Sequence, residues 1–416
     1  MITGLLFMLL PGTFLGVWNL ISISSQKGLS SLSASWLQAH GHAQIFGWIG
    51  TFIIGIGYYS LSKMGTIAPF ALSRGWLSWC LWTCGVALRW VANVSLWNWR
   101  ILLPLSAGAE LAAFLIFFVT VSTHRSGGER RRIEAWMVLV IASTVGFLIL
   151  LLLNAATVAR LAMAGDTPEF PHGLDQRFLV LATWGFPVLA VWGFNARWLP
   201  AFMGLKPALD GNLLAGLAWC GLGVIAALAG YFHIASAFLI IASVTVPLAL
   251  NIFERAQKPP LLQGVHPAFP VFIRFCYVWL VIASLLSAWA SSADRNGGIW
   301  GASRHALTVG FLAGMIFAIG PRILPAFCGE RQLYSPRLMF AACSLINLGC
   351  LLRVSSEIPA YEGFAQGAWR VLPYSAVVEL IAVSLFALNL ALTFANRATP
   401  AQDSRLYTIS FSKRTT

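Results

Sequence analysis

Stretches of about twenty apolar residues follow one another along nearly the whole chain, and that pattern leaves few choices of fold. In hydrocarbon every backbone N–H and C=O must be bonded within the protein, so such stretches become bilayer-crossing helices. Twelve apolar windows are visible, at roughly 3–24, 40–62, 74–94, 100–122, 134–162, 177–200, 213–232, 234–253, 269–291, 305–327, 337–356 and 370–395. The expected class is therefore all-α: a polytopic membrane protein with about twelve transmembrane helices in a single transmembrane domain over residues 1–416, ending in a cytoplasmic tail at 399–416. Only 10% of the residues are charged, against ~25% in soluble domains, which sets aside a soluble core.

A net charge of +13 would suit nucleic acid if the basic residues formed one patch. They lie between spans instead, where they orient the chain. Arg125, Arg130, Arg131, Arg132, Lys206, Arg255, Lys258, Arg331, Arg337, Arg405, Lys413 and Arg414 all fall on one side. The positive-inside rule puts that side, and both termini, in the cytoplasm. The partner is then the lipid bilayer, not nucleic acid. The N-terminus lacks a basic leader and a clear cleavage site, and reads as a retained first span. Cys80, Cys84, Cys220, Cys276, Cys328, Cys343 and Cys350 sit in or beside apolar runs and read as small buried hydrophobes. No CxxCH motif is present, so any haem would be bound non-covalently.

An internal repeat organises the polar residues. His42, Gly47 and Gly57 on the second helix match His305, Gly310 and Gly320 on the tenth. Gly85 and Arg89 on the third match Gly349 and Arg353 on the eleventh. Pro104, Ser106 and Glu110 on the fourth match Pro373, Ser375 and Glu379 on the twelfth. The middle third is a weaker copy: RxLPAFxG occurs from Arg197 and again from Arg322, but Val180 stands where a histidine would fall. Three pseudo-repeated four-helix units follow, roughly 1–132, 133–265 and 266–398.

His42 and His305 are the strongest site candidates. Two imidazoles projecting inward from different helices suit the two axial positions of a haem iron, although histidines bonded to neighbouring protein groups would look the same. Gly47 and Gly310 would relieve crowding against a flat macrocycle, or simply allow close helix packing. His40 precedes His42 by two residues, which at ~100° per residue turns it about 200° away. It cannot share that iron with His42. It reads as a partner for haem propionates, a second-metal ligand (copper, grouped with His172 and His233), or an interfacial polar group. His124 and His266 read as solvated loop residues. Arg89, Arg353, Glu110 and Glu379 are charges inside spans, where pairing is the rule. Two symmetric Arg–Glu pairs are one reading; arginines on haem propionates with glutamates handling protons are the other. Arg197 and Arg322 read as snorkelling anchors at helix ends.

Histidines on helices two and ten of a twelve-helix chain resemble the low-spin haem ligands of the heme-copper oxidase catalytic subunit. This chain departs from it: helix six has no histidine, helix seven no His-His pair, and helix ten one histidine where the oxidases use two. The elements of an oxygen-reducing haem–copper centre are thus missing from the sequence. His40-x-His42, Arg197-x-x-Pro200-x-Phe202 and His305-Ala306-Leu307-Thr308-Val309-Gly310 resemble the NnrS family more closely. Ala43-Gln44 and Ala326-Phe327-Cys328-Gly329 depart from that family's common Glu-Met and Gly-His-Thr-Gly. The resemblance implies a bacterial inner-membrane protein linked to haem b, copper and the response to nitric oxide, working with a redox partner or membrane subunit. Two rival readings remain open. One is a cofactor-free, proton-coupled secondary transporter, against which the division into thirds counts, since transporters usually show two related halves. The other is a non-catalytic subunit on an oxidase-like scaffold.

Overall fold

A computed structural model describes residues 1–28, 32–63, 72–123, 133–327 and 332–395. His124, Arg125, Arg130, Arg131, Arg132, Cys328, Arg331 and the tail 399–416, with Arg405, Lys413 and Arg414, lie outside the described residues. Twelve helices and no strand occur among the described residues. They are α1 (Ile2–Gln26), α2 (34–63), α3 (Leu72–Ser95), α4 (Trp99–Thr123), α5 (Ala135–Ala164) and α6 (His172–Met203), then α7 (Asp210–Leu228), α8 (Phe232–Ala249), α9 (Phe269–Ala293), α10 (298–327), α11 (Pro336–Tyr361) and α12 (Ala368–Ala395). Ten are long and apolar enough to cross a membrane. The other two, α2 and α3, carry His40, His42, Arg74 and Arg89, which lower their hydropathy. This is an all-helical, multi-pass membrane protein.

Burial separates an inner set of helices from an outer one. In α6 and α10 about three-quarters of the apolar stretch is buried, 78% and 72%, against 33–50% in the other eight apolar helices. The middle of α2 is buried just as continuously, from His42 to Phe52 apart from Gln44. Large side chains fill the space between them. Phe147 and Phe186 stack at 3.7 Å, and Phe46 packs against Phe147 at 5.9 Å between ring centres. On the outside, Leu105, Val119, Leu152 and Leu348 are exposed, as a lipid-facing surface requires.

Each inner helix changes pitch at one place. α2 is π-helical at Ala43–Gly50, α6 at Trp184–Val188 and α10 at Ala306–Ala313. The three segments end eight residues after His42, Val180 and His305, so the register shared by the three thirds of the sequence recurs in the backbone. Such segments are rare and cluster at functional sites.

Candidate functional site

The histidines lie deeper in their helices than the apolar windows suggest. α2 begins at Ala34, not near residue 40, and α10 at Gly298, not near 305. The first turns mix polar and small residues with a few large apolar ones, Trp36, Leu37, Ile299 and Trp300, so hydropathy alone passes over them. Carboxylates anchor both starts, where the helix dipole favours negative charge. Glu169 accepts hydrogen bonds from the Ser33 hydroxyl at 2.6 Å and the Ser35 N–H at 3.2 Å. Asp294 accepts from the N–H groups of Gly297 and Trp300, both at 2.6 Å. Glu362 accepts from those of Arg295, Asn296 and Gly298.

In the first third, His42 is buried with its ring stacked on Phe46 at 4.3 Å, and its Nε2 lies 3.2 Å from Glu110 Oε1. Gly85 makes room for that glutamate: a Cβ there would fall 2.7 Å from Glu110 Cγ. Arg89 is buried over the Phe170 ring at 4.9 Å and reaches Asn154 Oδ1 only at 3.5 Å; its Nε has no hydrogen-bond partner.

In the third third, His305 Nδ1 lies 2.9 Å from the Gly301 carbonyl and 3.2 Å from Glu357 Oε2. Arg353 grips the same carboxylate with two nitrogens, Nε at 3.1 Å and Nη2 at 3.2 Å. Gly301 leaves the space this carboxylate occupies. Glu379 packs on Gly349 as Glu110 packs on Gly85, with a Cβ there falling 2.5 Å from Glu379 Cγ, but its Oε1 is buried without a partner.

These positions revise several expectations. The symmetric pairs Arg89–Glu110 and Arg353–Glu379 do not form: Arg353 pairs with Glu357 one turn along its own helix, and Glu110 with His42. Gly47 faces Phe7 and Val86, and Gly310 faces Trp279, so both glycines serve helix packing rather than a macrocycle. His233 Nδ1 lies 3.0 Å from the Ser291 hydroxyl, and among the described residues no group of three or more His, Cys, Asp or Glu is placed to hold a metal ion. His266 is not merely solvated, since its Nδ1 accepts the Ala268 N–H at the start of α9. Cys80 and Cys84 are exposed on the bundle surface, whereas Cys220, Cys276, Cys343 and Cys350 are buried. Arg322 hydrogen-bonds the Gln263 carbonyl and lies over Phe202, while Arg197 lies over Trp136, so both are held by protein groups as well as placed at helix ends.

What the bundle brings together is a cavity of about 950 Å³ bounded by α1, α2, α6, α10, α11 and α12. Its wall includes His40, His42, Arg89, His305, Arg353 and Glu379, and it adds Glu357. Glu110 stands behind His42, outside the lining. His40 turns toward α1, with Nδ1 2.9 Å from the Gly12 carbonyl and its ring over Gly16. Glu357 is a cavity residue that the sequence pattern does not single out. Its signal was the i,i+4 spacing from Arg353, hidden because Asn93 takes the corresponding place beside Arg89.

A family model described as NnrS protein matches residues 2–397. The chain belongs to the NnrS family. No curated protein matches it. The H-x-H and HALTVG segments that resemble NnrS in the sequence thus come from different helices onto one cavity wall: both histidines of the first, and His305, Leu307, Thr308 and Val309 of the second.

Proposed function

We propose that this NnrS-family protein binds a b-type haem in the central cavity and acts in electron transfer or nitric-oxide handling at the outer face of a bacterial inner membrane, with both termini cytoplasmic. The observation that carries the reading is the cavity itself. Its volume of about 950 Å³ lies within the range of cofactor pockets, and its wall combines histidines from α2 and α10 with buried arginines. Arg89 Nε is buried without a hydrogen-bond partner, which an anionic group in the cavity would satisfy. The donor set fits a haem. His305 and the H-x-H of α2, where sequence symmetry points to His42, would hold its iron. Arg353 and Arg89 would meet the propionates. Bound there, the haem supplies one-electron chemistry.

The chain's own groups define the setting. Gly301 and Glu357 fix the His305 ring and so its tautomer. Phe46 and its aromatic neighbours pack an apolar surface against the His42 ring. A reduced-minus-oxidised visible spectrum of the purified full chain, with pyridine extraction of the cofactor, tests the reading. Sharp low-spin b-type bands are expected. A haem-free protein that instead carries proton-coupled flux in liposomes would overturn it in favour of a transporter.

A further inference from the structure

The H-x-H of α2 places two imidazoles about 200° apart, and the structure gives them different surroundings. Both precede the π segment that begins at Ala43, so ordinary helical spacing holds for them. His42 turns into its own third of the chain, with Nε2 against Glu110 of α4. His305 likewise turns toward its own third, with Nδ1 beside Glu357 of α11. The two histidines thus turn toward acids of different units.

We propose that His40, rather than His42, is the residue that completes the axial pair with His305; this rests on the haem reading of the cavity. His40 turns onto Gly12 and Gly16 of α1, the helix of the first unit that also packs on the third. Farther along, α1 packs through Val17, Leu20 and Ile23 against Ala360, Trp369 and Ala376 of α11 and α12. His40 and His305 also share a hydrogen-bond pattern that His42 lacks. In each, Nδ1 lies 2.9 Å from a backbone carbonyl, Gly12 for one and Gly301 for the other. A carbonyl only accepts, so Nδ1 carries the proton and Nε2 the lone pair, the state in which imidazole binds a metal.

Among the described residues neither Nε2 has a protein partner; His42 Nε2 lies 3.2 Å from Glu110 Oε1, though neither of those two atoms makes a hydrogen bond. Presenting that nitrogen to an iron would take away the ion-pair neighbour of the buried Glu110, whose carboxylate oxygens already lack hydrogen-bond partners. His40, His305 and Arg353 all line the cavity. A haem held by those two histidines would meet Arg353 before Arg89, which sits on the Asn154 and Phe170 side.

The test compares His40→Gly, His42→Gly and His305→Gly in the full-length, detergent-purified protein by visible and electron paramagnetic resonance spectra, with and without added imidazole. His40→Gly and His305→Gly are expected to lose the bis-imidazole low-spin signature and to regain it with millimolar imidazole. His42→Gly is expected to keep it. Gly16→Val provides a second route, since a side chain there displaces the His40 ring while leaving all three histidines in place; it should also lose the signature. Should His42→Gly lose the signature while His40→Gly keeps it, the assignment is overturned. A haem-bearing wild type indifferent to both changes overturns it too, and a haem-free wild type overturns the haem reading itself.

Discussion

Two corners of this molecule are built from nearly the same residues and are wired differently. The first holds His42, Arg89, Asn93 and Glu110; the third holds His305, Arg353, Glu357 and Glu379. In both, a glycine on the odd helix lets a glutamate on the next helix pack closely. At the first corner that glutamate meets the histidine, and the arginine has only a long bond to Asn154. At the third corner a second glutamate binds histidine and arginine together, leaving Glu379 without a partner for Oε1. One substitution between the copies, Asn93 against Glu357, therefore redistributes the whole set of charges. Near-identical motifs need not mean identical sites.

Arg353→Leu and Arg89→Leu separate the corners furthest. Removing Arg353 strands Glu357, which is buried, and breaking one side of a buried pair typically costs about 3–5 kcal/mol. Removing Arg89 leaves no stranded acid in direct contact and loses a long hydrogen bond and a contact with the Phe170 ring, so about 1–2 kcal/mol is expected. Thermal unfolding in detergent should show the first variant clearly weakened and the second less so. Equal losses would mean that Arg89 has a carboxylate partner after all. In the haem-loaded protein, Arg353→Leu should also weaken haem retention more than Arg89→Leu.

Glu357→Gln is expected next in size. The amide keeps the shape and one acceptor but loses the charge-assisted fork, a loss of about 1.5–3 kcal/mol. Because a negative charge beside His305 favours the oxidised, more positive haem, its removal should raise the midpoint potential in a redox titration. Glu110→Gln, beside His42 rather than His305, should shift the potential much less. A larger shift from Glu110→Gln would put His42, not His40, at the iron.

Much of this was legible in the sequence, and the reason it stopped where it did is physical. Twelve apolar runs, the matched His, Arg and Glu positions, and the collection of most of them at one site all follow from patterns a linear string preserves. Which neighbour each charge chooses does not. Arg353 selects Glu357 over Glu379 through the helical i,i+4 step, and Glu110 meets His42 through the closeness of α3 and α4 at Gly85. The π segments at Ala43–Gly50 and Ala306–Ala313 add a further change of phase that hydropathy cannot register. The helix starts are hard to read because Ala34–Ala39 and Gly298–Arg304 interleave polar and small residues with a few large apolar ones, though Ser33 and Asp294 mark the caps.

Where the corners agree, paired changes should agree too. Gly85→Ala would put a Cβ 2.7 Å from Glu110 Cγ, and Gly349→Ala one 2.5 Å from Glu379 Cγ. Backbone carbonyls lie close behind both sites, Ser106 at 3.0 Å and Ser375 at 3.3 Å, so the glutamates have little room to retreat. Overpacking of this kind costs about 1–3 kcal/mol. Both variants should lose similar thermal stability. A tolerated Gly349→Ala beside a damaging Gly85→Ala would show that unpartnered Glu379 is free to swing away while Glu110 is tied to His42.

The smallest expected effect lies at the two helix starts. Glu169 serves α2 through the Ser33 hydroxyl and the Ser35 N–H, whereas Glu362 serves α10 through three backbone N–H groups. Glutamine at either place can still accept hydrogen bonds, so the change removes chiefly the charge at the helix N-terminus, about 0.3–1 kcal/mol. Glu362→Gln should lie at the upper end, because all three of its contacts are to N–H groups of the turn leading into α10. Thermal scans at low and high salt measure this directly. The half-buried position of both acids predicts that salt diminishes the difference only in part. If Glu169→Gln is the more damaging, the entry of α2, and with it the placing of His40 over Gly16, depends on the loop before α6 more than α10 depends on the end of α11.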